Sequence, residues 1–107
     1  MSTVVITAGR NIGGDPMNAI EWMRLRETLG RVLESVDADI YTRDALGVGE
    51  WTEETGRVIR EESVTYVGSV QEEKIAALKE RIQVIAKEYA QDAIALIVGQ
   101  SILVKGI

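Results

Sequence analysis

The chain has 107 residues, 46 % hydrophobic and 27 % charged, the length and composition of one globular domain with a single core rather than of a disordered segment. Its formal net charge of −5, with no Lys/Arg stripe, leaves little to neutralise a phosphate backbone and excludes duplex nucleic acid as a partner. It contains neither Cys nor His, which removes disulfides, thiol nucleophiles, imidazole bases, Ser-His-Asp triads and Cys/His zinc sites.

Aromatic residues are few: Trp22, Trp51, Tyr41, Tyr66 and Tyr89, with no Phe. The core must therefore be built from Val, Ile, Leu and Ala. Residues 3–8 (TVVITA) alternate and are rich in β-branched side chains, so they read as a strand. Both of its faces are apolar enough for a central position. A glycine-rich stretch follows, and then a helix with Asp15 as its cap and Pro16 at its first position, where a missing N–H does no harm. Trp22, Leu25, Leu29, Val32, Leu33 and Val36 recur at spacings of three and four, which predicts one apolar stripe facing a sheet.

Residues 38–48 read as a second strand, in which Gly47 and Gly49 suggest a bulge or a fraying end. Residues 50–57 (EWTEETGR) are polar with a late glycine and predict a hairpin loop, and residues 58–67 return as a third strand. Ser69-Val70-Gln71-Glu72 fits a capping box. The helix after it places Ile75, Leu78, Ile82, Ile85 and Tyr89 on one face. Beyond it, residues 93–98 either extend the helix or form a strand, a Gly99-Gln100 turn and a short strand at 101–104. The β-branched content and the need for a partner to the first strand favour strands.

The order β-α-β-β-α-β predicts an α+β, ferredoxin-like (split βαβ) fold in one domain. It has an antiparallel sheet, both helices on one face and a short extra C-terminal strand. The other face, with Val5 and Tyr41, needs a cover, and a second copy of the chain is the simplest one, so a homo-oligomer, at least a dimer, is expected. No apolar run approaches the roughly 20 residues of a membrane span. The first three residues carry none of a signal peptide's regions. A cytoplasmic protein without a membrane partner is expected.

Glu21-Trp22, Gly49-Glu50-Trp51, residues 56–63 (GRVIREES) and residues 88–94 (EYAQDAI) together resemble a family of small bacterial and phage proteins of unassigned function. The resemblance implies an α+β fold of this type and assigns no catalytic residue. The opening ITAGRN, the acidity and the small size are similar to accessory proteins of phages. By analogy of class, several such proteins are sponges that sequester a host nucleotide signal.

The candidate binding residues centre on Gly9, Arg10, Asn11, Ile12, Gly13 and Gly14. Glycines let backbone N–H groups converge on an anion, Arg10 offers a planar five-donor fork, and a helix N-terminus follows. Asp15 would repel an anion, and the spacing fits neither the dinucleotide fingerprint nor the P-loop. The plainer reading is a connector with permissive glycines. Arg60-Glu61-Glu62-Ser63 alternates, so Arg60 and Glu62 share one face and Glu61 and Ser63 the other. This marks either a polar pocket or ordinary solvated pairs. Trp51, in a polar loop, is a stacking platform or a lid on the core, while Trp22 is core. Tyr41, Arg43 and Tyr66 are expected to share the sheet surface.

The function these residues imply is a non-enzymatic, oligomeric binder of a small anionic, nucleotide-like molecule. Its ligand residues are Gly9, Arg10, Asn11, Gly13, Gly14, Arg43, Trp51 and Arg60, with no cofactor and no metal. The alternatives are a module that inhibits a host protein through its acidic surface, and a carboxylate-dependent enzyme. Carboxylate-only Mg²⁺ chemistry has no DxD-type spacing to support it here.

Overall fold

Strand β1 (Ser2–Gly9) is the axis of the molecule. Its alternation sends Val4, Ile6 and Ala8 into the core, at most 1 % exposed, while Val5 and Thr7 face the other way. The computed structural model describes residues 1–102 and 104–106. In it β1 is followed by two two-residue strands, β2 (Asn11–Ile12) and β3 (Asp15–Pro16), and then α1 (Ala19–Ser35). Next come β4 (Asp39–Thr52), β5 (Val58–Val70), a 3₁₀ turn (Glu72–Lys74), α2 (Ile75–Glu88) and β6 (Ala95–Gly99).

The main sheet runs β4-β5-β1-β6, and every neighbouring pair is antiparallel. Both helices lie on one side of it. This is the expected ferredoxin-like, split βαβ arrangement. The predicted stripe of α1 holds completely: Trp22, Leu25, Leu29, Val32, Leu33 and Val36 are all buried. From α2, Leu78, Ile82 and Ile85 join them, with Ile75 and Tyr89 packed at the margin. Among the described residues, no buried side-chain nitrogen or oxygen lacks a hydrogen-bond partner, and no helix is long and apolar enough to cross a membrane.

Several boundaries differ from the sequence reading, each for a local reason. The cap of α1 is Asn18, not Asp15. Its side-chain oxygen accepts from the Glu21 N–H at 2.9 Å and its amide donates to the Glu21 carboxylate at 2.7 Å, a reciprocal cap. Asp15 and Pro16 belong instead to β3. Ser69 caps nothing: it is a buried residue of β5, paired with Thr3 and Asp39, and the strand's register outweighs the local motif. The bulges of β4 fall between Ile40 and Thr42 and between Thr42 and Ala45, not at Gly47 or Gly49. Residues 93–98 do not continue the helix, and β6 pairs with β1. Ser101, Ile102 and Val104 form no further strand, and position 103 of that expected strand lies outside the described residues.

The largest departure is the length of the hairpin. Residues 50–52, expected in a loop, are strand. β1 pairs with β5 only as far as Ser63 opposite Gly9. The pairs from Val48 with Glu62 to Thr52 with Val58 therefore project past the sheet as a two-stranded arm. Its tip is closed by the Glu53 N–H to the Arg57 carbonyl at 2.8 Å.

Because Leu29 is fully buried and Ile82 is 5 % exposed, Leu29→Ala and Ile82→Ala should each cost about 2–5 kcal/mol in denaturant unfolding. Losses below half a kilocalorie would place those helix faces wrongly.

Candidate functional site

The stretch between β1 and α1 is a miniature hairpin. Asn11 pairs with Pro16 and Ile12 with Asp15, leaving Gly13-Gly14 as a two-residue turn in which Gly13 adopts φ 65°. That is the turn chemistry such a short connection requires. Arg10 closes its base. The Met17 N–H donates to the Arg10 carbonyl at 2.9 Å, the Arg10 Nε–H donates to the Met17 carbonyl at 2.8 Å, and Arg10 Nη1 meets the Glu62 carboxylate at 2.5 Å.

Glu61, on the opposite face of β5, bends back over Gly9 and accepts the Asn11 N–H at 2.9 Å. A Cβ on Gly9 would stand 2.6 Å from the Glu61 carboxylate, so Gly9 is small because Glu61 crosses it. Gln91 donates to the Asn11 carbonyl from behind, at 3.3 Å. The glycine loop thus holds an anion of its own chain, and its one cation is already paired.

Arg10 and Glu62 form the wall between two adjoining hollows. One, of about 420 Å³, is lined by Arg10, Asn11, Gly14, Pro16, Arg60, Glu61 and Glu62. The other, of about 460 Å³, runs between α1 and the root of the arm, along Ala19, Trp22, Arg26, Leu46 and Val48. There the Arg26 guanidinium sits 5.8 Å from the centre of the Trp22 ring and grips Asp44 with two bonds of 2.8 and 3.2 Å. Asp44 adopts φ 52°, inside the second β4 bulge, and this turns its carboxylate toward α1. The Tyr66 hydroxyl donates to the Arg26 carbonyl at 2.5 Å. Burial pushes its acidity down, to a pKa of about 12, with the Asp44 charge adding to the shift, so the phenol is a fixed donor at neutral pH.

Larger grooves exist, about 660 Å³ between α1 and α2 and about 550 Å³ between α2 and β6. Neither touches the loop, the bulged stretch of β4 or the arm. Among the described residues no group of His, Cys, Asp or Glu is arranged to hold a metal.

The structure gathers Arg10, Asn11, Gly14 and Arg60 in one place and separates the rest. Gly13 is at the exposed turn. Arg60 pairs with Glu50 across the arm at 3.0 Å, on the same face as Glu62, as the alternation required. Arg43 turns to α1, where it meets Glu34 at 2.7 Å. Tyr66 lies on the helix side, buried, rather than with Tyr41 on the sheet surface. Trp51 is half exposed on the arm, away from the loop. The residues that the sequence did not mark as a site are Trp22, Arg26, Asp44 and Tyr66. Their signal was the i,i+4 spacing of Trp22 and Arg26 and an Asp inside a strand.

No known family profile matches the sequence, and no curated protein shows detectable sequence similarity. Solved structures do match in fold. A phage SAM lyase in complex with S-methyl-5'-thioadenosine superposes with a TM-score of 0.64 at 16 % identity, over 92 % of this chain and 80 % of that one. The same kind of enzyme in its apo state gives 0.62 at 18 %, over 91 % and 78 %. A DUF3240-family protein from Shewanella baltica gives 0.53 at 7 %, over 99 % and 96 %. The fold is thus found in small phage and bacterial proteins.

The comparison corrects the expectation of a non-enzymatic protein, because two of the similar structures are of an enzyme. The missing imidazole and thiol exclude only chemistries that require them. A lyase acting on a substrate that carries its own leaving group requires neither.

Arg10→Ala should lower stability by about 1–2 kcal/mol, since it removes a partly buried clamp on the hairpin as well as an ion pair. An unchanged melting temperature would mean that the loop holds itself. Gly13→Val should destabilise by about 1–3 kcal/mol through its positive φ. Since the Tyr66 pKa is raised on folding, its contribution is intact below pH 10 and declines above it. Tyr66→Phe should make alkaline unfolding shallower, and an unaltered profile above pH 10 would contradict the assignment.

Proposed function

We propose that the protein is a lyase acting on a sulfonium nucleoside of the S-adenosylmethionine class, in the cleft walled by Arg10–Glu62 and Trp22–Arg26. What supports this is the fold likeness to a phage SAM lyase over nine-tenths of the chain joined to a cleft with the Glu62 carboxylate in its wall. The charges also fit. Such a substrate carries a sulfonium, an ammonium and one carboxylate. A chain with a net charge of −5 attracts that cation where it would repel an anionic nucleotide. The proposed ligand therefore differs in sign from the one the glycine loop first suggests.

The chemistry suits a chain without His or Cys. When the bond from sulfur to the amino-acid chain breaks, its electron pair stays on sulfur and a neutral thioether, S-methyl-5'-thioadenosine, departs. The remaining four-carbon fragment becomes closed-shell in one of two ways. It loses a proton to a carboxylate, or its own carboxylate closes on the carbon that sulfur left. Either path needs a negative group facing the sulfonium and a site that excludes water. Glu62 is the carboxylate at the shared wall, Arg10 is placed for the substrate carboxylate, and the Leu46–Val48 side with Arg26 offers a surface for the nucleoside. Turnover of a host small molecule removes it as surely as sequestration, so a phage-type role is retained with cleavage in place of capture.

The test is incubation of the purified protein with S-adenosylmethionine, with S-methyl-5'-thioadenosine followed by liquid chromatography and mass spectrometry. Product should accumulate far faster than in the protein-free control. Glu62→Gln should slow it about a hundredfold or more while the protein stays folded. Neither product nor a thermal shift with substrate or product would overturn the reading.

A further inference from the structure

The second bulge of β4 adds a residue whose effect is to aim one carboxylate. Thr42 stands opposite Val67 and Ala45 opposite Thr65, so Arg43 and Asp44 together face the single residue Tyr66. Consecutive side chains of a regular strand point to opposite sides of the sheet. Here both reach α1: Arg43 meets Glu34 at 2.7 Å, and Asp44 meets Arg26 with bonds of 2.8 and 3.2 Å. Asp44 does so in the left-handed region, at φ 52°, where a side chain is strained. The ion pair alone is a weak reason for that strain. Its side chains are 23 and 39 % exposed, and pairs open to solvent contribute little to stability. What the arrangement does fix is the direction of a flat group. Both bonds fall on one edge of the guanidinium, Nε and Nη2. The centre of the Trp22 ring lies 5.8 Å from its carbon, and the Tyr66 hydroxyl holds the Arg26 carbonyl.

We infer, resting on the sulfonium-nucleoside reading of this cleft, that Asp44 is a positioning residue. It holds the Arg26 guanidinium as a platform on which the purine ring of the nucleoside stacks. The hollow that Arg26 lines, about 460 Å³, is in the size range of small-molecule sites. Across it stand Leu46 and Val48. The register puts both on the helix side of the sheet, Leu46 beside the buried Val64 and Val48 beside Glu62, yet they are 60 and 61 % exposed. A slot with aliphatic side chains on one wall and a guanidinium on the other suits a flat heterocycle, which covers the first and stacks on the second. Asp44 also balances the charge of Arg26, so the platform fits a neutral base better than a phosphate. Nη1, which Asp44 does not use, can donate to a ring nitrogen. Glu62 and Arg10 line the same hollow, so a base seated on Arg26 directs the rest of the molecule toward them. A lysine at position 26 would supply the charge without the plane.

Calorimetric titration with S-methyl-5'-thioadenosine and with adenosine measures the base contact without turnover, on chains shown to be folded by circular dichroism. The parent chain should bind both. Arg26→Lys should weaken each about tenfold or more, the scale of a lost stacking contact, although the charge is kept. Asp44→Gly should weaken them about fivefold or more through lost preorganisation. It should nevertheless melt close to the parent, because glycine takes a positive φ without strain. In turnover, Asp44→Gly should raise the KM for S-adenosylmethionine with kcat little changed. Variants that bind both nucleosides as tightly as the parent overturn the assignment and leave the lyase standing. A large fall in the melting temperature of Asp44→Gly makes Asp44 a structural residue and counts against it. A parent chain that binds neither nucleoside overturns the assignment too, whether or not S-adenosylmethionine is consumed. Binding that both substitutions weaken, in a chain that forms no product, upholds the base platform and removes the lyase.

Discussion

The molecule depends on β1 being paired along both of its sides. All eight of its residues pair with β5 and the central five, Thr3–Thr7, also pair with β6, which ties up the backbone along the middle of the strand, so its helix-facing row can be wholly aliphatic. Val4, Ile6 and Ala8 then set the plane on which Leu25, Leu29, Leu33 and Leu78 close. Everything with chemical character is displaced to where β1 parts from β5, just past Gly9. There the chain has to leave the sheet, β5 continues without its inner neighbour, and polar side chains meet because no apolar layer covers them.

The carboxylates around that exit divide between two tasks. Glu61 and Glu62 are adjacent in sequence and lie on opposite faces of one strand, so one holds the loop's backbone and the other its only cation. This pins the little hairpin from both sides of the sheet. It also means that a ligand entering the cleft exchanges contacts with residues that already satisfy one another. Such a site is ordered before anything binds.

Legibility in the sequence followed the strength of the pattern. The stripe of α1 and the alternation of β1 are repeated signals, each confirmed by six and three buried residues respectively, and the topology followed from their order. The isolated motifs failed. Ser69 and Glu72 have a capping-box spacing but belong to a strand whose two neighbours fix it. Asp15-Pro16 has the composition of a helix start but is drawn into a hairpin by Gly13-Gly14. Trp51 looked like a loop residue because its neighbours are polar. An arm with no layer on either face has no apolar alternation to show. The pocket was half visible: Arg10 and Arg60 by residue type, but Arg26, Asp44 and Tyr66 only through bulges that no short pattern announces.

The two tryptophans, one sealed and one half exposed, give the protein a built-in pair of optical reporters. Trp22, 3 % exposed beneath a guanidinium, should emit at short wavelength and resist collisional quenchers. Trp51, 50 % exposed on the arm, should emit further to the red and quench readily. A single emission spectrum therefore carries separate information about the packed interior and the projecting hairpin. Replacing either indole with Phe, a residue found nowhere else in the chain, isolates the signal of the other.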